Sequence, residues 1–359
     1  PIESPSPLPP ALDKALMPFQ RAGVAFAVRR GGRLLLGDDM GLGKTIQAIA
    51  MCCAFRQDWP VLIVVPNSVR YVWADELERW IPDIGPRGVN VIQSGQDLHG
   101  LTQGASFHIA TYGILARASP VRDFLREKEM FKMVVVDESH MIKNRAALRT
   151  REIMQLLRHA QRVVLLSGTP ALARPVELYT QVEAVAPGLF KSYSAFTQRY
   201  CAPKWTPFGM DFTGSSNLGE LHEHLKGLMV RRRKGDVLDQ LPSKRRQRVV
   251  IEASASSAAA CEGLHDELRG CGEEDVGDRR RLISELYVAS AAAKSEACCE
   301  YVEDLLQGGC KFLVFAHHRV MMDALEAAAV RNKAGFIRID GSVPSIERQR
   351  LLAPFPAGA

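Results

Sequence analysis

An α/β fold, a parallel sheet with helices on both faces, is predicted from two features of this sequence. Short apolar runs dominated by β-branched residues alternate with stretches of helical periodicity, the run 60–66 between Pro60 and Pro66 being the clearest. Each run ends in polar residues: Asp38-Asp39, Asn67-Ser68, Thr111-Tyr112, Asp137-Glu138-Ser139-His140 and Ser167-Gly168-Thr169-Pro170. Parallel sheets bind ligands beyond the carboxyl ends of their strands, so these clusters predict a site as well as a fold.

In chain order, residues 1–15 read as a loose, proline-rich segment and 16–30 as an amphipathic helix. A strand at 34–36 leads through a glycine turn into a helix from Lys44, and strands follow at 60–66, 89–93, 107–111, 133–137 and 163–166. Between about 185 and 240 the alternation stops, which predicts an inserted helical subdomain carrying Tyr200, Trp205, Phe208 and Phe212, with a helix running from Asn217 into a basic block. Ser254 to Ala260 is low in complexity and Glu273 to Arg281 is charged, the composition of a surface excursion. A second α/β unit is expected from Lys294, with a helix to about Gln307 and strands at 311–317 and 336–342.

The chemistry centres on Asp38-Asp39-Met40-Gly41-Leu42-Gly43-Lys44-Thr45. Glycines at 41 and 43 let backbone N–H groups converge, the helix beyond adds its positive end, Lys44 reaches terminal phosphates and Thr45 holds Mg²⁺. The strict pattern has glycine six residues before the lysine, where this chain has Asp38; an ordinary strand-to-helix turn is the alternative. Asp137 and Glu138 supply two carboxylates at the same sheet edge, one suited to a metal and the other to activating water; a helix N-cap pair is the alternative. Lys44 and the acid pair are expected to meet one triphosphate from neighbouring strand tips. Gln20, upstream of the cradle, suits an adenine edge or an ordinary helix surface.

The 359 residues allow two or more domains, and 47% apolar content predicts packed cores. No apolar run is long enough to span a membrane. The net charge of +6 is concentrated in Arg231-Arg232-Arg233-Lys234 and Lys244-Arg245-Arg246 with Arg248, a block suited to a polyanion, to nuclear import or to a solvated face. Eight cysteines without a C-x-x-C pair give no zinc pattern and suit a reducing compartment. The absence of an initiator Met suggests a fragment.

Taken together, these residues resemble a helicase superfamily-two ATPase of the SWI/SNF type, and within it the annealing-helicase branch: the HARP type or its relative with a zinc finger and a nuclease domain. The resemblance covers about 16 to 352. It rests on Leu16 to Arg21, on Asp38 to Thr45 as motif I, on Val64 to Ser68 as motif Ia and on Asp137 to His140 as motif II. Ser167 to Pro170 with Arg174, Pro175, Glu177 and Leu178 matches motif III; Ser215 to Leu218 and the Arg231 to Leu241 block match the protrusion; Lys311 to His318 and Ile337 to Ser342 with Glu347-Arg348 match the start of a second lobe.

The resemblance implies a RecA-like lobe at 16–184, a protrusion and linker at 185–293 and the start of a second RecA-like lobe at 294–359. It implies ATP and Mg²⁺ at Gln20 and Asp38 to Thr45, with Lys44, Asp137 and Glu138 catalytic and Thr45 and Asp137 on the metal. Ser68, Thr111 and Tyr112 would contact DNA, and His140, Ser167 and Thr169 would couple hydrolysis to movement. A nuclear monomer is implied, meeting fork-associated proteins and rewinding branched DNA at stalled forks. A nucleosome remodeller, an RNA helicase and a non-hydrolysing ATP-binding module are the competing readings. The family's motif V and VI arginines do not appear before Ala359, so this stretch is expected to bind ATP and hydrolyse it poorly.

Overall fold

The structure, a computed structural model, describes residues 6–85, 87–128, 130–169, 174–207, 209–237, 246–251, 255–272 and 275–352. The chain divides into two compact units, Pro1–Leu241 and Pro242–Ala359. Pro170, Phe208, Lys244, Arg245, Ser254, Glu273 and the 354–359 stretch, all used above, lie outside the described residues.

The first unit is built on a parallel sheet. Its strands are β1 (Arg33–Leu36), β2 (Val61–Val65), β3 (Val89–Val91), β4 (Phe107–Thr111), β5 (Met133–Val136) and β6 (Arg162–Leu166), as predicted to within a residue or two at each end. Beyond them come a short hairpin, β7 (Lys204–Thr206) with β8 (Gly209–Asp211), and an edge strand, β9 (Met229–Val230). The sheet order is β3-β4-β2-β5-β6-β1-β9, every pair parallel. Alternate residues of the apolar runs feed two separate cores. Leu35, Leu62, Val64, Val134, Val136, Val163 and Leu165 pack on one face; Leu34, Leu36, Val61, Ile63, Val65, Val135 and Val164 pack on the other. Burial on both faces is why the strands read as unbroken apolar runs.

Three local expectations differ. Residues 10–15, expected to be loose, form the helix Pro10–Ala15, anchored by the fully buried Leu12. The helix expected to run into the basic block ends at Lys226, and Leu228-Met229-Val230 instead lies along β1, where Leu35 N–H donates to Leu228 O and Gly37 N–H to Val230 O. The insert is therefore partly β: it contributes β9 to the main sheet and carries the β7-β8 hairpin.

The second unit consists of the helices Ala255–Gly270, Val276–Gln307, Arg319–Arg331 and Ser345–Leu352, the first three packed in sequence. The stretches 311–317 and 336–342, expected to be strands, join no ladder among the described residues. A parallel strand is stabilised by neighbours that take up its backbone groups and cover its faces. Here Phe315 is 91% exposed and Leu313 66%, so the apolar pattern is present without the pairing.

Candidate nucleotide site

The turn after β1 is shaped by its glycines and braced by a buried ion pair. Gly41 and Gly43 have φ of +84° and +70°, in the left-handed region that side chains disfavour. Gly43 caps the helix Lys44–Ala54, directing that helix's first N–H groups into the turn. Asp38, at the unconventional position, is fully buried. Arg232, next to β9, donates to it three times: backbone N–H to Oδ1 (3.1 Å), Nε to Oδ1 (2.9 Å) and Nη2 to Oδ2 (2.5 Å). Gln47 Nε2 donates to Asp38 Oδ2 as well, at 3.1 Å. A carboxylate is tolerated there because an arginine from far along the chain neutralises it. Removing one member of such a pair costs about 3–5 kcal/mol.

Lys44 Nζ donates to the carbonyls of Asp38 (2.9 Å) and Asp39 (3.3 Å), inside the loop. Burial lowers its pKa, and the charges of Glu138, Asp137, Asp38 and Asp39 oppose that shift. Lysine and acid pair therefore share one electrostatic site. They do not, however, stand on neighbouring strand tips as expected: β6 runs between β5 and β1. The β6 tip fills the gap, and a Cβ on Gly168 would lie 3.6 Å from Lys44 Nζ.

The acid turn after β5 is held from below and behind. Glu138 has φ +49°, and the Tyr112 hydroxyl donates to the carbonyls of both Asp137 and Glu138. The buried Trp73 indole donates to Asp137 Oδ2 at 2.9 Å, and Glu138 N–H to Oδ1 at 2.9 Å. Burial nonetheless raises the Asp137 pKa, with the Trp73 and Glu138 hydrogen bonds and the Lys44 charge pulling the other way. His140 Nδ1 lies 3.2 Å from Glu138 Oε2 and 3.3 Å from the buried Ser167 Oγ, which also accepts from Thr169 N–H. The β5 and β6 tips thus form one hydrogen-bonded network, and Lys44 lies within the field of its carboxylates.

The residues fit a Mg²⁺-bound triphosphate. The glycine turn offers converging N–H groups, Lys44 a cation, Thr45 a half-buried hydroxyl at the helix start, and Asp137 a desolvated carboxylate that a metal would compensate.

Other predicted residues are distributed differently. Gln20 is buried, its Nε2 donating to Leu42 O at 3.1 Å and its Oε1 accepting from Met17 N–H, so its amide braces the glycine turn. Ser68 is exposed on the short helix Asn67–Val69. Thr111 is buried and caps the helix Tyr112–Ala116 through Ile114 N–H. Tyr112, expected on DNA, is buried, and its hydroxyl is engaged by the acid turn; its side chain supports motif II. Within the basic block Arg232 faces inward, whereas Arg231, Arg233, Arg246 and Arg248 are exposed. Tyr200 packs on Phe190 and Phe196, and Phe212 on Tyr193, inside the insert; Trp205 is exposed on the hairpin. The reading of the sequence missed Trp73, Arg232 and Gln47 as site residues. No local motif marks them, since two of the three act across more than 60 residues.

The SNF2-related domain matches residues 19–262, which includes every strand of the sheet and every residue of this network. The chain belongs to that family. Among relatives of this SNF2-related chain, the DNA annealing helicase and endonuclease ZRANB3 of Bos taurus is 41% identical over 97% of the chain and 33% of its own length. The SWI/SNF-related matrix-associated actin-dependent regulator of chromatin subfamily A-like protein 1 of Xenopus tropicalis is 44% identical over 96% of the chain and 36% of its own length. The chain therefore spans about a third of these relatives. The SWI2/SNF2 ATPase core of Sulfolobus solfataricus, solved with double-stranded DNA, shares the fold with a TM-score of 0.55 at 22% identity, over 99% of this chain and 77% of that one.

Proposed function

We propose that this chain is the engine of an ATP-dependent DNA translocase of the annealing-helicase type, acting in the nucleus as a monomer on branched DNA and stalled forks with fork-associated partners. Residues 16–184 would be the first RecA-like lobe, 185–293 the protrusion and linker, and 294–359 the start of the second lobe. The observation that carries the reading is the shared site of Lys44, Asp137 and Glu138, with Ser167 and Thr169 in the turn beyond β6, the strand between theirs.

Lys44 would neutralise the terminal phosphates, Thr45 and Asp137 would hold Mg²⁺, and Glu138 would orient the attacking water and take its proton. When bound, the nucleotide would supply the leaving phosphate and the metal would neutralise its charge. Gln20 fixes the turn that the adenine end would approach, and His140, between Glu138 and Ser167, would report the water's side of the site to the β6 tip. Exposed Ser68, at the end of β2, would take a DNA phosphate.

The test is ATP turnover by the purified protein with and without forked DNA, alongside rewinding of a labelled DNA bubble, for wild type and Lys44→Ala. Slow turnover that forked DNA stimulates, with rewinding, both lost in the variant, is the expected result. Tight nucleotide binding with no turnover on any DNA would replace the motor with a binding module, and stimulation by nucleosomes alone would replace it with a remodeller.

A further inference from the structure

The segment 228–234 leaves the main sheet ahead of the boundary at Leu241, and it is threaded along the phosphate turn rather than merely past it. Asp39 N–H donates to Arg232 O at 3.0 Å, and Lys234 N–H donates to Asp39 Oδ2 at 3.1 Å. A Cβ on Gly41 would meet Lys234 Nζ at 3.2 Å, so that ammonium lies over the turn. Arg232 grips the turn from the other side. Besides its bonds to Asp38, its guanidinium donates to Gln47 Oε1 at 2.8 Å and to Phe19 O, and it stacks over the Phe19 ring at 5.1 Å. One side chain thus ties together the turn, the helix behind it and the helix that carries Gln20.

We propose that Arg232 is a positioning residue of the nucleotide site: by clamping the buried Asp38, it fixes the carbonyls on which Lys44 rests and the glycine turn that receives the phosphates. This rests on the nucleotide-site reading above. Three physical points support it. Asp38 has no exposure to water, so its carboxylate oxygens have only protein donors, three of the four from Arg232. The Lys44 ammonium bonds to the carbonyl of Asp38 itself, so a shift of that residue moves the lysine. Arg232 also presents a planar fork that reaches Asp38, Gln47 and Phe19 together, a geometry lysine does not reproduce. Nucleotide affinity is consequently set in part by a residue of the basic block, outside the P-loop and the acid turn.

The experiment measures dissociation constants for a fluorescent ATP analogue with Mg²⁺, together with thermal unfolding, for Arg232→Gln, Arg232→Lys and Lys44→Ala. Binding is read well below each unfolding midpoint, where circular dichroism shows the protein folded. Affinity of folded Arg232→Gln is expected to fall about 10–100-fold, the range found for groups that orient a ligand's direct contacts. Arg232→Lys, which keeps the charge and loses the fork, is expected to be intermediate; it also serves if the glutamine variant does not fold. Wild-type affinity in either folded Arg232 variant, with Lys44→Ala impaired, would overturn the inference and leave Arg232 a stabilising brace. Unimpaired Lys44→Ala would instead remove the nucleotide-site reading and this inference with it.

Discussion

Trp73 donates its indole N–H to Asp137 Oδ2 at 2.9 Å, joining the helix that follows β2 to the acid turn that follows β5. The contact counters the burial that raises the Asp137 pKa. Trp73→Phe keeps an aromatic ring in the buried site and removes the donor, so the carboxyl should take up a proton more readily and hold Mg²⁺ less well. We expect the acidic limb of the ATPase pH profile to move to higher pH and the Mg²⁺ requirement to rise about 10–100-fold. Stability should fall by about 1.5–3 kcal/mol, the contribution of a hydrogen bond to a charged group. A magnesium titration at several pH values checks this, and superimposable wild-type and variant curves would count against it.

Tyr112 tests whether its hydroxyl serves the protein interior. Its donations to the Asp137 and Glu138 carbonyls hold a turn in which Glu138 has positive φ, a conformation costing about 1–3 kcal/mol that its surroundings must impose. Tyr112→Phe should lower kcat about tenfold while affinity for forked DNA stays within about twofold, since each 1.4 kcal/mol of misplaced geometry is a factor of ten. Ser68→Glu places a negative charge at an exposed position facing the proposed phosphate path and should weaken DNA binding severalfold, most strongly at low salt. A Tyr112→Phe protein that lost DNA affinity but kept its turnover would return this residue to the DNA surface.

The difference between what could and could not be read in advance has a physical basis. β2 and β5 were legible because burial on both faces leaves an apolar run. The glycine turn and the acid pair were legible because each is local, with all its chemistry within eight residues. Arg232 was hidden in a charge block whose outward appearance suits solvent or a polyanion, and its carboxylate partner is 194 positions away. β9 is two residues long, too short to show a period, and follows directly on a helix that suggested continuation. The apolar runs at 311–317 and 336–342 show the converse. Composition favours strands there, yet pairing decides whether they form, and no ladder takes them up among the described residues.

Gly43 and Gln20 should be energetically coupled. A Cβ on Gly43 would lie 2.4 Å from Gln20 Nε2, and the residue's φ of +70° already disfavours any side chain. Gly43→Ala should therefore cost about 1–3 kcal/mol and weaken nucleotide binding, through strain at the turn and displacement of the amide. Gln20→Ala removes the obstructing group, so the double variant should be less destabilised than the sum of the two single ones. Denaturant unfolding of the four proteins closes the cycle. Strict additivity would mean that the amide moves aside freely and does not brace the turn.

His108 gives the first unit a predictable sensitivity to acid. Its ring on β4 is buried, with Nδ1 3.1 Å from Asn90 Nδ2, Nε2 3.1 Å from the Ala105 carbonyl, and the Phe131 ring edge-on. Neutral imidazole with its proton on Nε2 donates to Ala105 and accepts from Asn90, whereas a second proton meets a donor. Burial lowers the pKa to about 4 from the ordinary 6.5, with the Ala105 hydrogen bond opposing. The folded pKa lies below the unfolded one, so the unfolded chain binds the proton first as pH falls. The stability that His108 contributes is complete above about pH 6.5 and is lost progressively down to about pH 4, by at most about 3 kcal/mol. His108→Gln does not titrate, so the stability difference between wild type and variant should shrink across that window in urea unfolding at pH 7, 5.5 and 4. A difference that stayed constant with pH would show that the ring accepts its proton in place and that the Asn90 and Ala105 contacts do not hold it neutral.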